Sequence, residues 1–209
     1  MNINSENLLE SILESLSRID YIHAEDIPNI DLYMDQVTTL MDSGLSSSKR
    51  YEEDKILTKT MINNYAKNNL LPPPDKKKYS REHILILTFI YYFKNILAIK
   101  DIETLLNPLT ETYFQTENQP SLSEIYEEIC SMEKSQIPDL SKEISAAFAR
   151  AEESFADAPE EDRHYLQMFS FICSLSFDVY VKKLLIEKLL DELPDFQKSQ
   201  KKEDVKKLD

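Results

Sequence analysis

Three groups of side chains have the types and spacing to do chemistry on an anion. Thr58, Lys59 and Thr60 open a helical stretch, where backbone N–H groups point outward and favour phosphate. Asn63 and Asn64 follow, with Lys67 in the next turn. An Asn side chain presents a donor beside an acceptor and matches the major-groove edge of adenine. The plainer reading makes both surface polar residues or caps, and Thr58 is in any case a good N-cap. Lys76, Lys77 and Lys78 stand in a row ahead of Tyr79 and Arg81. Three ammonium groups on an extended segment can track a phosphate backbone; the plainer reading is a solvated turn. Tyr65 and Tyr79 read as core before they read as contacts.

Other chemistries find no support in the spacing. His23, His83 and His164 have no Cys or His partner at ligand spacing, so no metal centre is expected. The acidic runs Glu127-Glu128 and Glu160-Glu161-Asp162 read as solvated faces, because neighbours on a helix point apart. Ser43 and Ser46–Ser48 lack the glycines of a nucleophile elbow. The aromatic residues Tyr91, Tyr92, Phe93, Phe169, Phe171 and Phe177 are expected in cores rather than around a ligand pocket. The expectation is a protein that is not an enzyme and uses no cofactor.

Gly is the sharpest compositional clue. Gly44 is the sole glycine in 209 residues, against an average of about 7%. Phosphate cradles of the P-loop or Rossmann kind are therefore excluded. Tight hairpin turns with φ > 0 are not expected either. Little Gly with abundant Leu, Ile, Glu and Lys favours an all-α fold. The net charge of −14 argues against general affinity for nucleic acid or anionic membranes. That charge is unevenly placed: residues 49–81 hold nine basic side chains and four acids, a net +5, and the remainder carries −19. Screening over about 10 Å lets such a patch meet phosphate on an acidic protein. Cys130 and Cys173 read as thiols of a reducing cytoplasm. The N-terminus has no signal-peptide pattern, and the apolar run 165–181 is shorter than a membrane span. A cytoplasmic protein with no membrane partner is expected.

The elements that must position these groups are helices. Apolar spacing predicts an amphipathic helix over 4–19, a connector over 23–29, and a helix from an Asn29 or Asp31 cap through Met41 to a stop at Gly44. Residues 45–55 read as a loop. Thr58 caps a helix over 59–68, and Asn69 suits a left-handed end. Pro72–Pro74 forces extended chain. Ser80 with His83 stands in for the Ser-x-x-Glu capping box ahead of a helix over 81–94. A short helix follows to Leu106, before Pro108. After a polar linker over 110–120, three helices are expected over 121–135, 139–155 and 159–193, with heptad lines Tyr165, Ile172, Val179, Ile186, Leu193 and Met168, Leu175, Leu189. The tail 194–209 is Lys-rich and expected to be disordered.

The order Tyr65, Asn69-Leu70-Leu71-Pro72-Pro73, Tyr79, Ser80-Arg81-Glu82 resembles the DNA-binding head of MerR-type regulators. There a recognition helix ending in Tyr is followed by Gly-Leu-Leu-x-Pro, a wing, an aromatic residue and Ser/Thr-x-x-Asp/Glu. The start Ile99-Lys100-Asp101-Ile102 matches as well, and the likeness covers about 75 residues, from Ile30 to Leu106. The chain also resembles a family of uncharacterised proteins of low-GC Gram-positive bacteria to which DNA binding is ascribed, in its LTKTMINNY and PPPxKKKYSREHI segments. Three features depart from the MerR pattern. Asn63-Asn64-Tyr65 replaces Arg-Tyr-Tyr, residues 45–57 replace a tight turn, and the wing is reduced to 74–78. The family's Arg and Tyr phosphate contacts therefore do not carry over to 63 and 64.

The resulting expectation is an all-α protein in four parts. Residues 1–29 are an N-terminal helix and connector, 30–109 a MerR-like helix-turn-helix head, 110–193 a helical C-terminal module and 194–209 a tail. Its function is expected to be transcriptional control through double-stranded DNA. Thr58, Lys59, Thr60, Asn63, Asn64, Lys67, Lys76, Lys77, Lys78, Tyr79 and Arg81 are the contact residues, and the C-terminal helices hold a homodimer. The alternatives are a helical adaptor for protein contact or a ligand sensor without DNA binding; any effector is unknown.

Overall fold

The computed structural model describes the backbone of residues 5–17 and 21–208, and side chains at 7, 9–16 and 21–194. Seven helices are present among the described residues: α1 (Ser5–Ser17), α2 (Met34–Gly44), α3 (Lys59–Lys67), α4 (Arg81–Phe93), α5 (Ile99–Tyr113), α6 (Leu122–Glu152) and α7 (Glu160–Leu208). Two short strands, β1 (Leu32–Tyr33) and β2 (Lys78–Tyr79), pair antiparallel with Leu32 opposite Tyr79 and Tyr33 opposite Lys78. The chain divides into two compact units. One is residues 1–19 with 131–184; the other is 20–130 with 185–209.

The second unit is organised around α4. Every residue from His83 to Tyr91 is buried, as a helix apolar on all sides must be. Val37 and Met41 of α2, Ile62 and Tyr65 of α3, Ile102 and Leu106 of α5, Tyr126 of α6 and Leu190 of α7 share its core. The connector belongs to that core: Ile22, Ala24 and Ile27 are buried. Tyr126 Oη donates to the Ile22 carbonyl at 2.8 Å, and Glu127 accepts from the Ala24 N–H at 2.6 Å. Gly44 is explained here. It ends α2 without positive φ; a Cβ at this position would sit 2.6 Å from Ile22 Cγ1. Close approach, not a left-handed stop, requires the glycine.

Several expected boundaries move. The helix expected from Asn29 or Asp31 starts at Met34, because β1 occupies the preceding residues and Gln36 Oε1 accepts from the Tyr33 N–H at 2.8 Å. The 45–57 segment is tethered rather than open. Leu45, Ile56 and Leu57 are buried, Ser48 Oγ meets Tyr91 Oη at 2.6 Å, and Lys94 Nζ donates to the Ile56 carbonyl at 2.8 Å. Helix α5 runs through Pro108, and α6 runs through Pro138 where two helices were expected. An interior proline costs about 3 kcal/mol. In α5 that cost is offset by Leu105, Leu109 and Tyr113, which pack on the core on either side of Pro108.

The first unit has a thin core. Ala147, Phe148 and Ala151 of α6 pack on Phe171 of α7, with Leu9, Ile144, Met168 and Leu175 around them. Phe148 and Phe171 meet edge to face at 5.2 Å. Phe169 and Phe177, expected in a core, are exposed, as are Tyr165, Ile172 and Val179 of the first heptad line. Helix α7 extends to Leu208, over the stretch where a disordered tail was expected; the side chains of 195–209 lie outside the described residues. So do Ile19 and the Leu8 side chain of the N-terminal apolar stripe. Among the described residues no helix is long and apolar enough to cross a membrane.

Candidate nucleic-acid interface

Helix α3 buries Ile62 and Tyr65 and turns Thr60, Asn63, Asn64 and Lys67 outward. Spacing of i, i+3, i+4, i+7 puts those four on one face, so α3 presents a single polar, uncharged-to-basic stripe. Its start is fixed by Thr58, whose Oγ1 accepts from the Met61 N–H at 3.2 Å. Its end is fixed by Asn69 at φ 57°, after which the Leu70 and Leu71 N–H groups both return to the Tyr65 carbonyl. Both signals were legible in the sequence.

The basic row does not stay extended. Asp75 and Lys78 pair across a two-residue turn, with Lys78 N–H donating to the Asp75 carbonyl at 2.7 Å. The central residues Lys76 and Lys77 sit at φ 46° and 65°. Positive φ at both central positions marks a type I′ hairpin, whose ordinary residues are Asn-Gly. The scarcity of glycine did not prevent such a turn. Left-handed backbone costs a Cβ-bearing residue roughly 1–2 kcal/mol, and here two lysines in succession bear it. Both side chains are exposed at the tip. Lys78 differs: its Nζ lies over the Tyr33 ring, 5.3 Å from the centroid. The β1–β2 register brings those two residues together, a pairing for which the sequence offered no separate signal.

Packing draws two expected contact residues toward the protein itself. Tyr79 is 3% exposed and belongs to the core; its ring meets the His83 ring edge-on at 5.4 Å, and burial raises its pKa. Arg81 turns inward and its guanidinium donates to the Ala24 carbonyl, pinning the connector to the start of α4. His83 explains the local geometry. Its Nδ1 accepts from the Ser80 N–H at 2.9 Å, completing the capping arrangement expected from Ser80 and His83. The ring is buried against Tyr79 and Phe114, and its Nε2 has no hydrogen bond of normal geometry although the Pro72 and Pro73 carbonyls lie close. Burial lowers its pKa, with those carbonyls and Asp31 acting in the opposite direction.

The N-terminal end of α3 is less favourable for an anion than the sequence suggested. Lys59 pairs with Asp35 of α2, a residue remote from it in sequence. An exposed pair of this kind holds its partners by only ~0–1 kcal/mol, but it cancels the local charge. Thr58, Lys59 and Thr60 also share an open cleft of about 770 Å³ with the acids Asp42, Glu52, Glu53 and Asp54 and with Lys49 and Lys55, Lys49 being paired with Asp42. The 45–57 segment thus brings acids beside the helix start. What the fold leaves turned outward is the Thr60–Lys67 face and the Lys76-Lys77 tip.

No curated protein and no solved structure matches this chain. A family model does match, over residues 22–129. That is more than half of the chain and nearly the whole 20–130 segment that carries α3 and the hairpin. By that match the chain belongs to DUF1836, a domain of unknown function.

Proposed function

We propose that the 20–130 segment is a DNA-binding head of the MerR-like kind and that the protein acts in transcriptional control. In this reading α3 enters a major groove, with Asn63 and Asn64 toward base edges and Thr60 and Lys67 toward the backbone. The Lys76-Lys77 tip meets a neighbouring phosphate. A homodimer joined through the C-terminal helices would present two heads to paired half-sites.

One observation carries the reading. Lysine occupies both left-handed positions of a type I′ turn, where Asn-Gly would relieve the strain. Strained residues persist where their side chains are needed, and the property shared by these two is an exposed positive charge. The acids Glu52 and Glu53 beside the start of α3 favour a second reading, in which the cleft at that helix start docks a basic protein surface.

The test replaces Lys76→Asn and Lys77→Gly together, which keeps the turn and removes its charge. The double variant should be more stable than the parent by ~1 kcal/mol through relief of strain. In polarisation titrations on genomic DNA fragments at two salt concentrations, its affinity should fall. The log–log salt slope should shrink by up to about 0.9 for each phosphate that the tip no longer neutralises. An unchanged slope removes the tip from the interface, and a parent protein that binds no fragment even at low salt supports the docking reading instead.

A further inference from the structure

Helix α7 carries two apolar faces within the first unit. One, through Met168, Phe171 and Leu175, packs on α6. The other runs Tyr165, Phe169, Ile172, Ser176, Val179 at spacings of four, three, four and three, the period of a coiled-coil seam. All five are exposed, with Tyr165 at 69%, Phe169 at 51%, Ile172 at 54% and Val179 at 61%, and Tyr180 flanks them at 57%. Between Tyr165 and Phe177 there is no charged side chain. A helix face this apolar belongs against another surface.

We infer that this seam is covered by the same seam of a second copy, the two α7 helices running antiparallel about a two-fold axis near Ile172. The inference gives a surface and a direction to the homodimer invoked above and stands independently of DNA binding. Area supports a second copy. Covering Tyr165, Phe169, Ile172 and Val179 with the adjoining Tyr180 removes on the order of 500–600 Å² from each copy, toward the lower end of the range for stable interfaces.

Charge selects the direction. The turn Glu160–Arg163 at one end of the seam carries two net negative charges, whereas 178–184 at the other end carries one net positive charge. Parallel pairing would set acid against acid. Antiparallel pairing sets each acidic end beside the basic end of the other copy, and like-charge juxtaposition is what such interfaces avoid. Shape agrees: with the axis near Ile172, Phe169 of one copy meets the small Ser176 of the other, and Tyr165 meets Val179.

The test uses the full chain. Sedimentation should show a dimer at micromolar concentration. Phe169→Glu should raise its dissociation constant by at least ~30-fold with unchanged far-UV dichroism. Val179→Arg serves as the second variant if the first misfolds. Direction is read by cross-linking in a Cys173→Ser background, where the other thiol, Cys130, is buried. Tyr165→Cys and Val179→Cys should join through a short bismaleimide when mixed, and neither should join to itself, since like positions lie roughly 20 Å apart along the helix. A monomeric parent, including one whose seam binds lipid vesicles, or a dimer indifferent to both charged variants, overturns the inference. Self-joining of Tyr165→Cys overturns the antiparallel direction.

Discussion

Helices α4 and α7 both carry long apolar runs, yet they meet opposite fates. From His83 to Tyr91, α4 is buried on every side, enclosed by α2, α3, α5, the start of α6, Leu190 of α7 and the connector. From Tyr165 to Leu184, α7 packs one face on a small cluster of alanines and phenylalanines and leaves the other open. The α4 run is the more apolar of the two, and its unit also supplies more neighbouring elements to enclose it. A run like that of α4 stabilises the subunit; a run like that of α7 is available for association.

The comparison breaks most visibly under truncation. Leu85→Ala in α4 should cost about 2–5 kcal/mol in denaturant unfolding, because the cavity is closed on all sides. Phe169→Ala in α7 should change the unfolding of the isolated subunit by less than ~1 kcal/mol, since half of the ring is already in water. Equal losses at both sites would mean that the α7 seam is covered within its own chain.

An intermediate effect is expected where the connector meets α2. Gly44→Ala places a Cβ 2.6 Å from Ile22 Cγ1, inside a region without slack, and should destabilise by about 1–3 kcal/mol. Helix propensity alone predicts a gain of up to ~1 kcal/mol for the same change. The sign of the measured shift therefore decides whether packing or propensity governs the end of α2.

The smallest effect is a dependence on pH confined to the α4 side of the comparison. Burial lowers the His83 pKa, so the folded state holds a neutral ring. Its contribution is complete above the unfolded value of about 6.5 and is lost as pH falls below it, because the unfolded chain then takes up the proton more readily. Thermal melts should fall more steeply below about pH 6.5 in the parent than in His83→Gln. Glutamine supplies the reach-back acceptor of the usual capping box without titrating. Parallel melting curves would assign the acid sensitivity to other groups.

Much of the local structure was legible in the residues. Thr58 and Ser80 with His83 begin their helices as their side-chain chemistry requires, and Asn69 takes the left-handed position that ends α3. The outward set Thr60, Asn63, Asn64 and Lys67 follows from helical spacing once Ile62 and Tyr65 face inward. Pro108 misled because a helix interior tolerates the lost hydrogen bond when the flanking residues pack on the core, and such packing is not a local property; the residues around Pro138 are mostly exposed, and nothing in the structure explains the uninterrupted helix there. The glycine count misled as well: among the described residues five other than glycine, Asn69, Lys76, Lys77, Gln115 and Phe155, adopt positive φ.

By itself the sequence determined the helical class, the caps, the polar face of α3 and the concentration of basic residues between 49 and 81, since all of these depend on short-range periodicity and side-chain chemistry. Tertiary structure alone decided which of those basic and aromatic groups face outward. It turned Arg81 to the Ala24 carbonyl, sank Tyr79 beside His83, laid Lys78 over Tyr33 and left Lys76 and Lys77 at a strained tip. It also decided that α4 is enclosed while α7 keeps an open seam. Exposure is a property of what packs around a residue, and those neighbours come from parts of the chain that local sequence does not see.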